Sequence, residues 1–284
     1  MKQFPRTTVG GMSLPRILMG TNWLLGWSHT SAAADRAIKE KYAKPEDFYP
    51  VLEAYLSYGI DAIMAPISTT PIAEAAINYA EQKSGQKIIR IDTPAINVHD
   101  SADARREAEA AIKHSAAIGS DFCLIHHTST EELVNKHERT ITRLPDYLAM
   151  IRDAGMQPGL SAHMPEIVQY SDANEYDVET YIQIFNCMGF LMQIEIEAVA
   201  AIIRGAKKPV MTIKPFAAGR CTPFVGLNFN WAVIRDCDMI TVGANSAAEV
   251  HEDVEISFAA LERRAPELQG RSSPFKQKIL GHDA

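Results

Sequence analysis

Histidine, aspartate and lysine at the ends of apolar runs supply the chemistry this chain could do. Ile89-Arg90-Ile91 runs into Asp92, Phe122–Ile125 into His126 and His127, and Gly159-Leu160-Ser161-Ala162 into His163. A carboxylate with two imidazoles is a common ligand set for zinc, manganese or iron that leaves positions open for water or substrate. Asp92, His126 and His163 are therefore the expected ligands of a divalent metal. Glu166, three residues past His163, is a candidate base or fourth ligand. Lys214 ends Val210-Met211-Thr212-Ile213-Lys214-Pro215. An amine in such apolar sequence is readily desolvated, and a lowered pKa suits it to proton transfer or Schiff-base formation. Pro215 is expected to hold Lys214 extended. Asn22 could orient a substrate hydroxyl, with Trp23, Trp27 and Phe216 as an apolar wall, and Asn186 is a further candidate substrate contact. Each residue also has a plainer reading: a hydrogen-bonded network bracing the rim, a Lys214 ion pair, or aromatic loop packing.

The elements that must position these groups alternate along the chain. Strand-length apolar runs are expected over Arg16–Asn22, Ile60–Pro66, Lys87–Thr93, Phe122–His126, Gln157–His163, Thr180–Cys187, Pro209–Pro215 and Met239–Val242. Helical patterns follow them over Pro45–Tyr58, Thr70–Lys83, Ser101–Ala117, Glu131–Ala154 (with a candidate break near Pro145), Glu195–Arg204, Pro223–Ile234 and Ala247–Arg263. Tyr170–Tyr176 reads as a polar connection. Strict alternation implies a parallel sheet, because each right-handed crossover returns the chain to the same edge. Eight such units close into a single (β/α)8 barrel over residues 1–284, with 266–284 as a peripheral tail. No strand opens a Gly-x-Gly-x-x-Gly turn, which argues against a doubly wound open sheet. Chemistry in such a barrel sits where strands run into helices. Neighbouring strands lie about 4.8 Å apart, so groups from successive strand ends can converge. Alternation turns one of His126 and His127 inward and the other toward the helices.

Composition removes several classes of function. The 284 residues are 46% hydrophobic and 22% charged, an ordinary globular balance. A net charge of −7 leaves no electrostatic footprint for nucleic acid. No run approaches the roughly 18–20 apolar residues of a membrane span. The opening residues Met1–Arg6 lack the apolar stretch of a signal peptide. Cys123, Cys187, Cys221 and Cys237 are scattered and read as free thiols. A cytoplasmic protein acting on a small molecule, with neither nucleic acid nor membrane as partner, is expected.

Several segments, taken in order, resemble the aldo-keto reductases. Phe4–Asn22, containing Gly-Gly-Met-Ser-Leu-Pro-Arg-Ile-Leu-Met-Gly-Thr, resembles that family's opening hairpin and first strand. Leu124-Ile125-His126 is similar to the strand carrying its catalytic histidine, which favours His126 as the inward residue. Gly159-Leu160-Ser161, Ile184-Phe185-Asn186 and Ile213-Lys214-Pro215-Phe216 with Gly219-Arg220 resemble its fifth to seventh strands. Ile240–Ser246 resembles its closing segment, which implies that Gly243, Asn245 and Ser246 hold a nucleotide phosphate of NADP.

The departures fall on the reaction. Asp61–Thr69 contains no tyrosine where the family has its proton donor, and Asp92-Thr93 stands where it has a lysine. Ser161-Ala162 replaces its Ser-Asn, and Ile182 falls at its glutamine, with Gln183 on the other face. Without the tyrosine–lysine pair, carbonyl reduction lacks its general acid and the group that tunes it. The leading expectation is accordingly a metal-assisted lyase, aldolase or isomerase acting on a small hydroxy-carbonyl or sugar-like substrate. In it Asp92, His126 and His163 bind the metal and Lys214 or Glu166 moves the proton. The alternatives are a divergent NAD(P)H-dependent reductase using His126, and a non-catalytic barrel that binds a small molecule.

Overall fold

A computed structural model describes residues 2–268; of the tail expected over residues 266–284, everything past residue 268 lies outside the described residues. A hairpin opens the chain, Arg6–Val9 pairing antiparallel with Met12–Pro15. Gly10 and Gly11 turn it with φ of 56° and 79°, values a two-residue hairpin turn needs and glycine adopts without strain. Eight strands then form a closed parallel barrel. They are β1 (Ile17–Gly20), β2 (Ala62–Ala65), β3 (Ile89–Asp92), β4 (Phe122–Ile125), β5 (Gln157–Ala162), β6 (Thr180–Ile184), β7 (Val210–Ile213) and β8 (Met239–Gly243). All eight expected strands form. β8 pairs with β1, Gly243 opposite Gly20, and closes the ring.

Alternation along these strands builds two hydrophobic layers. Leu18, Met64, Ile91, Phe122, Leu124, Ile182, Met211 and Met239 fill the interior. Ile17, Met19, Ile63, Cys123, Ile125 and Tyr181 face the surrounding helices. Val9 and Leu14 of the hairpin join the interior cluster. The hairpin thus plugs the end of the barrel where the strands begin, and the open mouth is at their C-terminal ends.

Three connections carry structure beyond the simple strand–helix alternation. The stretch from Glu131 to Ala154 is two helices, His127–Glu132 and Leu144–Asp153, separated by a small ladder between Val134–Asn135 and Thr140–Ile141. Asn135 Oδ1 takes the N–H groups of His137 and Glu138, and Arg139 and Arg143 are left-handed, so the helix cannot run through. The polar segment after β5 belongs largely to a helix, Glu166–Ala173. The Trp-rich loop after β1 contains a turn of helix, Asn22–Leu25, and then a helix, Ala32–Lys41, capped by Ser31.

Candidate active site at the barrel mouth

The mouth holds a cavity of about 310 Å³. Trp23, Trp27, Phe216, Met64, Ile182 and Ile213 give it apolar and aromatic walls. Its ionisable lining is His29, His126, His127, His163 and Lys214, with no carboxylate and no tyrosine among the described residues that line it. Such a lining offers N–H donors and an amine to a carbonyl or anionic oxygen.

His126 follows β4 directly. Its Nδ1 accepts from the Thr128 backbone N–H at 3.4 Å and lies 2.9 Å from Thr128 Oγ1. An Nδ1 that accepts leaves the neutral ring protonated at Nε2, as a donor for the cavity. His127 was expected to face the helices if His126 faces inward, yet both line the mouth. The strand ends at Ile125 and His127 begins a helix, so period-two alternation stops between them. Their rings are 4.2 Å apart, and His127 stacks on His163 at 3.7 Å. Burial first, and then the neighbouring His127 and Lys214 side chains, lower His126 and His163 to about 4. Both imidazoles are neutral at pH 7.

Lys214 also lines the mouth, with its amine lowered by desolvation. Its backbone is not extended: φ is 62°, and its carbonyl accepts the Ala217 N–H at 2.9 Å in a tight turn that overrides the influence of Pro215. Lys214 Nζ lies 3.2 Å from His29 Nε2, and Asn22 Nδ2 lies 3.3 Å from the same atom. Two donors converging on one nitrogen require it to accept, so His29 is neutral and protonated at Nδ1. Burial and the Lys214 charge lower its pKa in the same sense. His29 sits on a loop, where the sequence gives a side chain no direction; His99, also on a loop, does not line the cavity.

The other expected site residues divide plainly. Asn22, Trp23 and Gly243 line the mouth. Asp92 does not reach it. Ile91 points into the barrel, so Asp92 turns toward the helices, fully buried, its Oδ1 accepting the Ser68 N–H at 3.2 Å. The expected Asp92–His126–His163 metal set therefore does not assemble. Glu166 lies outside the mouth and pairs with Lys136 at 2.8 Å. Asn186 is fully buried and organises its own loop, bonding the Met188 and Phe190 N–H groups and the Phe190 carbonyl. Asn245 and Ser246 sit just past the mouth: Ser246 Oγ caps helix Ala247–Glu262, and the Asn245 N–H donates to Glu249 at 2.6 Å.

Glu131 is the residue sequence reading passed over. It lies one helical turn after His127, the i,i+4 spacing that puts both on one helix face. Its Oε1 accepts the backbone N–H of His163 at 2.7 Å and of Met164 at 3.2 Å, tying that helix to the end of β5. The His127–Glu131 spacing was the available signal, hidden by assigning Glu131 to a longer helix starting there.

No protein-family model matches the chain, and no curated protein matches it in sequence. Solved structures match its fold. A Pseudomonas aeruginosa protein assigned to the aldo-keto reductases superposes with a TM-score of 0.64 at 15% identity, covering 92% of this chain and 97% of that one. Aldose reductase from Giardia lamblia superposes at 0.52 and 12% identity, covering 95% and 92%. The fold is an aldo-keto-reductase-like (β/α)8 barrel. Among the described residues no helix is long and apolar enough to cross a membrane.

Proposed function

We propose that the mouth is the active site of an oxidoreductase that reduces a small carbonyl compound with NADP(H), in place of the metal-assisted lyase, aldolase or isomerase that the strand-end residues first suggested. The observation that carries this reading is the joint one of fold and lining: an aldo-keto-reductase-like barrel whose mouth is a pocket of aromatic and N–H-donating groups. The cofactor is tested against the residues present. Gly243 leaves open a slot beside Trp23 that a Cβ would occupy, standing 3.3 Å from Trp23 Cδ1. Trp23 and Phe216 offer flat faces for a nicotinamide, and Asn22 an amide partner. Asn245 and Ser246, at the start of a 16-residue helix with Lys41 alongside, offer a phosphate site. One donor there is occupied, since Glu249 holds the Asn245 N–H. The residues fit the cofactor once that carboxylate yields.

When bound, NADPH supplies the hydride. The chain's own groups do the rest. His126 Nε2–H holds the carbonyl oxygen, and the apolar wall excludes water. Lys214 delivers the proton to that oxygen, taking the role that a tyrosine has in the resembling family, with its amine held by His29, which Asn22 also holds. Titration of NADPH fluorescence, followed by NADPH oxidation with a panel of small aldehydes and ketones, tests the reading. Saturable binding, with turnover lost in Lys214→Met at nearly unchanged NADPH affinity, supports it. Absence of NADPH binding up to about 1 mM overturns it.

A second reading, lyase or isomerase chemistry on the same class of compound, is favoured by one observation. The Lys214 amine stands in the cavity with no carboxylate partner among the described residues, the setting in which an amine acts as a nucleophile toward a carbonyl. Trapping of a Lys214 adduct by borohydride, without NADPH consumption, selects that reading. Binding of carbonyl compounds with neither trapping nor turnover selects the non-catalytic barrel.

A further inference from the structure

We propose that His127, Glu131 and His163 form a binding site for a divalent first-row transition ion, opening into the barrel mouth. It stands independently of the nicotinamide reading. One ligand atom from each of the three residues lies within 4.8 Å of the others. Two imidazoles and a carboxylate are the facial ligand set that such ions accept, with the remaining positions left to water or substrate. The set differs from the one the strand ends suggested in two members, since His127 and Glu131 replace His126 and Asp92.

The surroundings favour an ion over an internal hydrogen-bond network. Among the described residues His127 Nδ1 is buried with no partner within hydrogen-bond distance. It faces Glu131 Oε1 at 3.8 Å, too far for a hydrogen bond and suited to an atom between them. The carboxylate is already oriented, because its Oε1 takes two backbone N–H groups from the end of β5. Those contacts take the place that outer hydrogen bonds to a ligating carboxylate usually fill. His127 and His163 both line the cavity, so an ion they share has its open positions toward the space a substrate would occupy. Metal–nitrogen and metal–oxygen bonds of about 2.0–2.2 Å require the ligand atoms to draw in to about 3.4 Å. Rotation of the two stacked rings, with the short helix His127–Glu132 moving as a unit, supplies that closure. The ion would stand beside His126, where it could polarise a carbonyl oxygen as a Lewis acid.

Chelator-treated full-length protein, titrated with Co²⁺ and read by visible absorption, tests the site. Zn²⁺ competition against a chromophoric chelator gives the affinity. One equivalent of Co²⁺ with ligand-field bands is expected, and Zn²⁺ should displace it. His163→Ala and His127→Ala should each weaken Zn²⁺ at least tenfold, while Asp92→Asn should leave the affinity within twofold. Glu131→Gln keeps the oxygen that holds the His163 and Met164 N–H groups, so it tests the charge while sparing the fold; circular dichroism checks each variant. Absence of a Co²⁺ band, or Zn²⁺ affinity unchanged in the folded His127→Ala and His163→Ala variants, overturns the proposal. So does equal loss in folded Asp92→Asn.

Discussion

Acid should weaken this fold through two histidines at the mouth, His126 and His163. Each is lowered from the usual 6.5 to about 4, chiefly by burial and then by the neighbouring His127 and Lys214 side chains. The unfolded chain therefore binds more protons than the folded one between about pH 6.5 and pH 4, so stability rises with pH across that window. The contribution is complete above the unfolded pKa and is lost as pH falls toward the folded one. At about pH 4.5 a shift of this size amounts to about 2.6 kcal/mol for each residue. Both side chains keep some solvent contact, which reduces the effect by roughly half, leaving about 2–3 kcal/mol for the pair.

Urea unfolding in the presence of a chelator, followed by circular dichroism at about pH 7 and about pH 4.5, measures it. Carboxylates elsewhere also titrate over this range, so the informative quantity is the difference between wild type and His126→Gln/His163→Gln. The double variant cannot take up those protons. It should lose about 2–3 kcal/mol less than wild type on acidification. If the two proteins lose stability in parallel, the histidines are not held neutral by the fold, and the account of the mouth as a neutral-imidazole site fails.

Other outcomes follow from particular contacts. Glu249→Gln should tighten NADPH binding about five- to tenfold by removing a negative charge from the Asn245 N–H, read by fluorescence titration; unchanged affinity would put the phosphate elsewhere. Asp238 is fully buried and accepts from the Val210 N–H, the Arg235 N–H and the Arg235 guanidinium. Asp238→Ala should cost about 3–5 kcal/mol in urea unfolding, because it strands those donors and the Arg235 charge. Leu14→Ala in the hairpin plug should cost about 2–5 kcal/mol and leave NADPH affinity unchanged, since the plug closes the end of the barrel away from the mouth.

The barrel was legible because its signal is redundant. Every strand is an apolar run bounded by turn residues, and shifting any one of them by a residue leaves the alternation and the closure intact. The site was less legible because it depends on direction, which a one-residue shift reverses. Asp92 ends its strand as expected, but parity with Ile91 sends its carboxylate toward the helices. His126 and His127 break parity because the strand ends at Ile125 and a helix begins at His127. Asn186 carries the right functional groups, yet its amide is consumed by the loop it shapes. Lys214 reaches the mouth, though from a left-handed backbone that the following proline does not suggest. His29 comes to Lys214 from 185 positions away, a contact that only barrel closure creates.

That left-handed backbone also bears on function. His29, Lys214, Ala217 and Ala218 all have φ between 49° and 62°, and all but Ala217 line the mouth. A side chain in this conformation costs about 1–2 kcal/mol, which glycine escapes. Replacing Lys214 by alanine or by glycine removes the same amine and the same aliphatic stem, so the two variants differ only in how they tolerate the turn. At an ordinary position alanine is the more stable by about 0.4–1 kcal/mol, because it restricts the unfolded chain. Here the order should invert, with Lys214→Gly more stable than Lys214→Ala by about 1 kcal/mol in urea unfolding. Neither variant should turn over substrate. An ordinary order would show that the turn relaxes to negative φ at no cost, and Lys214 would then not be held toward His29 by its backbone. The inverted order would mean that the chain keeps a strained lysine where a glycine would be easier, as expected when the amine itself is what the position retains.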